Sequence, residues 1–557
     1  MNKVKYLFLV LVLSLLSQTM LNGQVNPNEM VVAPWNGSNY LNDVIVGDTT
    51  ATGARVNPDR IYVLQRNGVY FVNTPIRNTD WVLRIKAQDG AGRKPAVFLV
   101  KNTTTSANPA AFLQVAGNIN LSNLIISGIL DSDTSSYSLM QGQLIGTNQA
   151  GKDIVIDGCI LTNSNGNHIR TDQAARVIKI TNTIFANMGY LGRSNLGAGK
   201  AIDVRAVSCD TLLLVNNTFV NFQDRIIRHF NSTAAINNFI FDHNTIVNGM
   251  SYHGTLVLGI VGAKSQITNN LFIDPFALGN DTDYVRQAEF NESGELDFVG
   301  NRRMSWIFSV NNTETAWKVV KNYYSISDSG QAFFNRHAAA GVTGEGSPLS
   351  WHINSRLGSD SVNAFVKQSV ALTKIPKLMT AMMDWYRRPV DQGGAGKTKA
   401  TTNFNRLLHD FDRVSWTYLS DTLDCSFPTS SSLYTASEGG FPVGDLNWFP
   451  SKKLEWQNWV TDVKENDVTP ASFSLNQNYP NPFNPSTKIT FSITKAAKTV
   501  LNVYNVLGQK VATLIDKELS AGQHEVTFDA SKLTTGVYFY KLESGSNFEI
   551  KKMLLVK

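Results

Sequence analysis

Short apolar, β-branched runs recur along the middle of this chain, each followed at once by a polar corner. Residues 154–156 (IVI), 177–180 (VIKI), 212–215 (LLLV) and 239–241 (FIF) are such runs, and they read as strands of four to six residues. The corner after each is a short motif. Asn217-Thr218-Phe219 is repeated closely by Asn182-Thr183-Ile184 and Asn244-Thr245-Ile246. Asn123-Leu124-Ile125, Asn270-Leu271-Phe272 and Asn322-Tyr323-Tyr324 repeat it loosely, and Gly158-Cys159-Ile160 holds the slot with Gly. From position 123 the intervals are 35, 24, 35, 27, 26 and 52 residues, the last reading as two turns with one copy lost. A beat of this length means stacked units, each too small to bury its own apolar face. Asn tolerates the left-handed backbone at a corner, and its amide can bond the backbone or its counterpart above and below. The pattern therefore predicts an all-β chain built on a right-handed parallel β-helix. Asn182, Asn217 and Asn244 should stack at one bend as an amide ladder.

The rest of the chain is organised around that stack. Residues 1–24 read as a secretory signal peptide, with Lys3 and Lys5 ahead of an apolar run at 6–16. That run is too short to span a bilayer, and no later segment is long enough, so the mature protein has no transmembrane segment. Residues 25–68 form an N-terminal cap, which a stacked coil needs to cover its open edge. The solenoid occupies 69–327, and its early strands, such as 69–72 and 112–115, lack the Asn signature. Insertions bud from it at 187–200 and 277–304. Residues 328–460 form a partly helical C-terminal cap: Ile375, Leu378, Met379, Met382, Met383 and Tyr386 sit at helical spacing behind Pro376. The aromatic stretch 427–450 reads as a packed loop of this cap. Residues 461–471 read as a linker, and 472–557 as a small β-sandwich with alternating strands near 488–493, 500–504, 510–514, 524–528 and 537–542.

The charge balance narrows the partners. The net charge is +6, but Lys3 and Lys5 supply +2 of it. Residues 471–557 hold ten Lys, no Arg and six acids. The middle is close to neutral, so the charge gives no ground for nucleic acid or an anionic membrane as partner. Three widely spaced Cys (Cys159, Cys209, Cys425) exclude a disulfide framework and a zinc site with paired Cys. Gly393–Lys397 imitates a phosphate-binding loop, but Asp391 stands where its first Gly belongs.

The last domain resembles the C-terminal sorting domain of the type IX secretion system. The resemblance is carried by NYPNPFNPST at 478–487, VYNVLGQK at 503–510, Ala521-Gly522-Gln523-His524, TGVYFY at 535–540 and the basic end KKMLLVK at 551–557. It implies passage through the periplasm, engagement of the type IX machinery, and release or attachment at the outer cell surface. The preceding cargo resembles secreted right-handed β-helix proteins, a group that includes pectate, alginate and chondroitin lyases. That resemblance implies a polysaccharide partner. In those lyases a Lys-Ser motif and a later Arg serve as base and acid. Lys264-Ser265 is the only Lys-Ser pair here, and it sits beside a strand start.

Counting back from the Asn slot gives the candidate chemistry. Arg170 and Arg205 each lie twelve residues before a slot, and Arg228 lies sixteen before Asn244. On successive coils they would stand in file about 4.8 Å apart, close to the advance of one sugar in an extended glycan. Three guanidinium groups could bind a run of carboxylates or sulfates. The alternative is that they pair with Asp172, Asp203 and Asp224 as surface ion pairs. A catalytic version is β-elimination: Arg228 or a bound Ca²⁺ neutralises a uronate carboxylate, and a base removes the adjacent proton. His229 and Lys264 lead the candidate bases, with His243 and His253 behind. Hydrolysis by a carboxylate pair among Asp203, Asp224 and Asp242 is a further alternative. The acidic stretch 281–297 offers oxygen ligands for Ca²⁺ but lacks the ordered spacing of a Ca²⁺ loop and reads as solvated. No other metal or cofactor is expected. The sequence thus points to an exported protein that binds or cleaves an acidic extracellular polysaccharide, or to a non-catalytic, adhesin-like glycan binder.

Overall fold

The computed structural model describes residues 26–557 except 131–141, 165, 190–198, 230–232, 252, 276–294, 297–301, 304, 311–313, 339–346, 377, 379, 381–382, 385–422, 468–472, 494, 496 and 520–521. The expected signal peptide, the phosphate-loop imitation, most of the helix expected at 375–386 and nearly all of the acidic stretch lie outside the described residues. The chain forms two compact units, Met1–Pro450 and Ser451–Lys557.

The first unit is a parallel β-helix with three faces. Strands pass from face 1 to face 2 to face 3, then on to the next coil. Among the described residues face 1 holds ten strands, Glu29–Val32 through Ala316–Val320. Face 2 holds ten, Val69–Val72 through Phe365–Lys367, and face 3 nine, Ile76–Arg77 through Ser347–Leu349. The coil Cys209–Val215, Thr218–Phe222, Arg225–His229 is representative. Alternation on face 1 sends Leu212 and Leu214 inward and leaves Thr211 and Leu213 partly exposed. Inward columns such as Ile180–Leu214–Phe241 then stack coil on coil. Phe219 lies between Phe185 at 4.9 Å and Phe241 at 6.0 Å. Each fully buried side chain of this size stabilises the fold by about 1.5–3 kcal/mol. The neighbouring coils supply most of that cover, so a lone coil has no core.

From position 123 onward the bend from face 1 to face 2 takes two residues per coil. The first is left-handed in every case: Asn123, Gly158, Asn182, Asn216, His243, Asn269 and Lys321 have φ between 49° and 63°. The second carries the ladder. The Asn244 side-chain oxygen accepts from the backbone N–H and the amide of Asn217, both at 3.0 Å. Asn270 serves Asn244 and Asn322 serves Asn270 in the same way. Asn182 belongs to the first column, not the second. Ile184 pairs with Thr218, so Thr183 lies opposite Asn217 and Asn182 opposite Asn216. Sequence alignment slips by one residue here because adjacent columns both favour Asn, one for its backbone and one for its amide. Thr183 completes the ladder with its hydroxyl, which accepts from the Cys159 N–H.

A second ladder runs along face 2. Asn163, Asn187, Asn221 and Asn248 are all left-handed, and each amide donates to the previous oxygen at 3.1 Å. The outer side of face 2 is roofed by residues 423–449. Leu433, Val443 and Phe427 pack on Val220, Val247 and Leu271. Asp445 accepts from the Thr218 hydroxyl at 2.7 Å, and the Trp448 indole donates to the same hydroxyl at 2.9 Å. This aromatic stretch is thus a lateral strap along the stack rather than a plug at its end.

The ends differ from the sequence reading in extent. Helix α1 (Leu41–Gly47) buries Leu41 and Ile45 in the main core, and the same leading region also supplies the first two strands of face 1. The stack continues beyond 327, past helix α2 (Asp328–His337), to Phe365–Lys367. Helix α3 (Trp351–Leu357) inserts Ile353 into the core there. Helix α4 (Pro450–Asp467) covers most of the ground read as a linker.

The second unit contains a three-stranded and a four-stranded antiparallel sheet around Phe491, Leu501, Tyr540 and Met553. Its last strand, Asn547–Leu555, escaped the sequence reading because Lys551 and Lys552 interrupt the alternation.

Candidate functional site

Face 3 gathers the charge. Arg170, in Asn167–Thr171, is in register with Asp203, and Asp203 with Arg228. The outward column therefore reads Arg-Asp-Arg on three successive coils. A register shift after Asp203 places Arg205 opposite His229, and Arg205 has φ of 58°. Arg205 nevertheless reaches back to the same group of charges. Its Nε lies 3.6 Å from Asp172, which also accepts from Arg170 at 2.9 Å. Arg228 lies 3.5 Å from Asp203. Arg170 and Arg205 keep about a third of their side-chain surface in solvent, at 32% and 35%, so they can meet a ligand without unfolding.

Three residues earlier on the same coils, at the bend entering face 3, sits a buried charged cluster. Lys200 and Arg225 are register neighbours. Asp224 accepts from Arg225 at 2.8 Å, from Lys200 at 3.2 Å and from His253 Nδ1 at 2.7 Å. All four residues are buried. Burial opposes the charge on Asp224, but Arg225, His253 and Lys200 outweigh it and hold the carboxyl well below its ordinary range. Burial also lowers the Lys200 ammonium, with Asp224 pushing back. Sequence reasoning named Asp224 and His253 only as minor candidates and missed Lys200 and Arg225, since neither carries a motif.

Of the candidate bases, Lys264 and His243 lie away from this face, whereas His253 belongs to the buried cluster at its entrance. His229 ends its face 3 strand, in register with Arg205, and is buried. Its ring nitrogens lie 2.9 Å from the Leu258 carbonyl and 3.1 Å from the Val207 carbonyl, and burial lowers its pKa. Lys264 is exposed on face 1, in register with Asn238 and Ala316. His243 occupies the left-handed bend between faces 1 and 2, bonded to Asp242. Asp242 itself accepts from Thr268, at the end of a face 1 strand, and from Asn269 in the next bend. Asp242 is thus away from Asp203 and Asp224, and Asp224 is committed to Lys200, Arg225 and His253. Among the described residues no cluster of acids, His or Cys is arranged to hold a metal ion.

Comparison with known proteins bears on the second unit. Residues 477–557 match the family described as the secretion system C-terminal sorting domain. That match marks the chain for export. It supports the type IX sorting domain expected there and indicates delivery to the cell surface or extracellular space. The sorting domain involves the type IX machinery and is silent about what the β-helix does after delivery. Among the described residues no helix is long and apolar enough to cross a membrane. No curated protein and no solved structure matches the chain.

Proposed function

We propose that this is an exported β-helix protein that engages an acidic extracellular polysaccharide along the outer side of face 3. Arg170, Arg205 and Arg228 are its anion-binding groups. The observation that carries the reading is the convergence of these three side chains on one face of adjacent coils. Guanidinium groups match carboxylate and sulfate geometry, and coil spacing matches the advance of a glycan. Asp172 and Asp203 hold the arginines in place until a ligand carboxylate competes for them.

The geometry favours holding the glycan over cutting it. β-Elimination needs a base beside the groove, and neither Lys264 nor His229 faces it. Incubation of the mature protein with pectate, alginate and chondroitin separates the two forms. Saturable binding without new absorbance from unsaturated sugar supports the holding form. Rising absorbance establishes a lyase, and neither signal with any of the three glycans refutes the reading.

A further inference from the structure

The outward column of face 3 does not begin at Arg170. Register carries it back through Gly146 and Gln114 to Arg77. Beside Arg77 and Gln114 opens a cleft of about 570 Å³, whose lining includes Asn73, Thr74, Asn102 and Thr105. That volume lies within the range of about 300–1,000 Å³ usual for small-ligand sites. The column is continuous over six coils, about 24 Å at the usual strand spacing.

The cleft is built rather than incidental. The Asn102 side-chain oxygen accepts the N–H groups of Thr104 at 3.0 Å and Thr105 at 2.9 Å. Its amide donates to the Thr74 hydroxyl at 3.1 Å, which fixes that wall to the neighbouring coil. Arg77 Nε donates to the Gln114 side-chain oxygen at 2.6 Å. This leaves the terminal nitrogens of Arg77 and the Gln114 amide as donors toward the cleft. Among the described residues no Asp or Glu lines it. Arg170 and Arg228 each face a carboxylate, whereas among the described residues Arg77 has no carboxylate partner. Amides and hydroxyls that both donate and accept, around one uncompensated cation, suit a hydroxyl-rich ring bearing one negative group.

We propose that this cleft is an end subsite of the face 3 glycan surface, taking one sugar with a single carboxylate or sulfate. The proposal rests on reading face 3 as the glycan surface. Five coil spacings separate Arg77 from Arg228, about 24 Å, so a chain of about six sugars would fill both ends. The test is calorimetric binding of galacturonate and mannuronate oligomers, two to eight sugars long, to the mature protein. Wild type should tighten at least tenfold between three and six sugars. The double variant Arg77→Ala/Gln114→Ala should lose that gain and bind trimers as wild type does. Arg228→Ala should weaken every length. A double variant that keeps the full gain overturns the subsite, and loss through Arg228→Ala in the same series would leave the face 3 reading standing. Loss confined to the double variant, with Arg228→Ala silent, would instead refute the binding role of the Arg170–Arg228 stretch. Circular dichroism melts identify any variant that fails to fold, and Thr74→Val then replaces it at the cleft wall.

Discussion

Two bends of the same coil solve the burial of polar groups in opposite ways. Between faces 1 and 2 the ladder at the bend is neutral and repetitive. Asn217, Asn244, Asn270 and Asn322 each satisfy the next, and no charge is buried in that ladder. Entering face 3, the bend is charged and singular, with Asp224 tied to Lys200, Arg225 and His253. A neutral ladder can be extended by any number of coils, because each rung offers what the next requires. The ionic cluster belongs to one place and must overcome the desolvation of its charges. Buried ionic groups that do not repeat are a mark of function more than of scaffold, and this cluster underlies the face that carries Arg170, Arg205 and Arg228.

Breaking each bend should reveal that difference. The largest effect is expected from Asp224→Asn, which leaves Lys200 and Arg225 buried without their counter-charge and should cost about 3–5 kcal/mol by denaturant unfolding. The same variant tests the pH dependence. Asp224 has a depressed folded pKa, so its contribution is complete above the unfolded carboxylate value and lost as pH falls through the folded one. Wild type should therefore lose stability below about pH 4, and Asp224→Asn should show a flatter melting profile there. An equally steep profile in the variant would assign the acid sensitivity elsewhere.

The neutral bend should yield less. Asn244→Ala removes the acceptor of the Asn217 backbone N–H and of one of its two amide hydrogens, the amide keeping its bond to the Ile180 carbonyl, and should cost about 2–3 kcal/mol. Smaller still is Asn182→Gly. Its column already accepts Gly at position 158, and it loses one amide bond, to Asp157 at 2.6 Å, for about 1 kcal/mol. Asn217→Gly should cost clearly more than Asn182→Gly in parallel melts. Equal costs would undo the assignment of these residues to different columns.

That pair also shows how far the residue pattern carries. The beat of Asn corners was enough to imply a stacked parallel helix, because the backbone and amide demands of the bend select one residue type. The same coincidence hid the register, since Asn serves both adjacent columns. The second ladder was equally legible, with Asn163, Asn187, Asn221 and Asn248 each four residues beyond the bend, but it lies within strands where no turn draws notice. Counting back from the corner motif put Arg170, Arg205 and Arg228 in one file, but register sets Asp203 between Arg170 and Arg228 and places Arg205 opposite His229. Arg77 could not be counted in, as its coil lacks the motif. The strap at 423–449 was recognisable as packed, but its path along face 2 depends on long-range contacts that no local pattern encodes. Lys200 and Arg225 acquire meaning only once register makes them neighbours.

The direct test of the account is equilibrium binding of a uronate hexamer to the mature protein and to Arg170→Glu/Arg228→Glu. Saturable wild-type binding that weakens with added salt, and falls at least tenfold in the variant while the melting temperature holds, is the predicted result. Unchanged affinity in the charge-reversed protein would contradict the assignment of face 3 as the glycan surface.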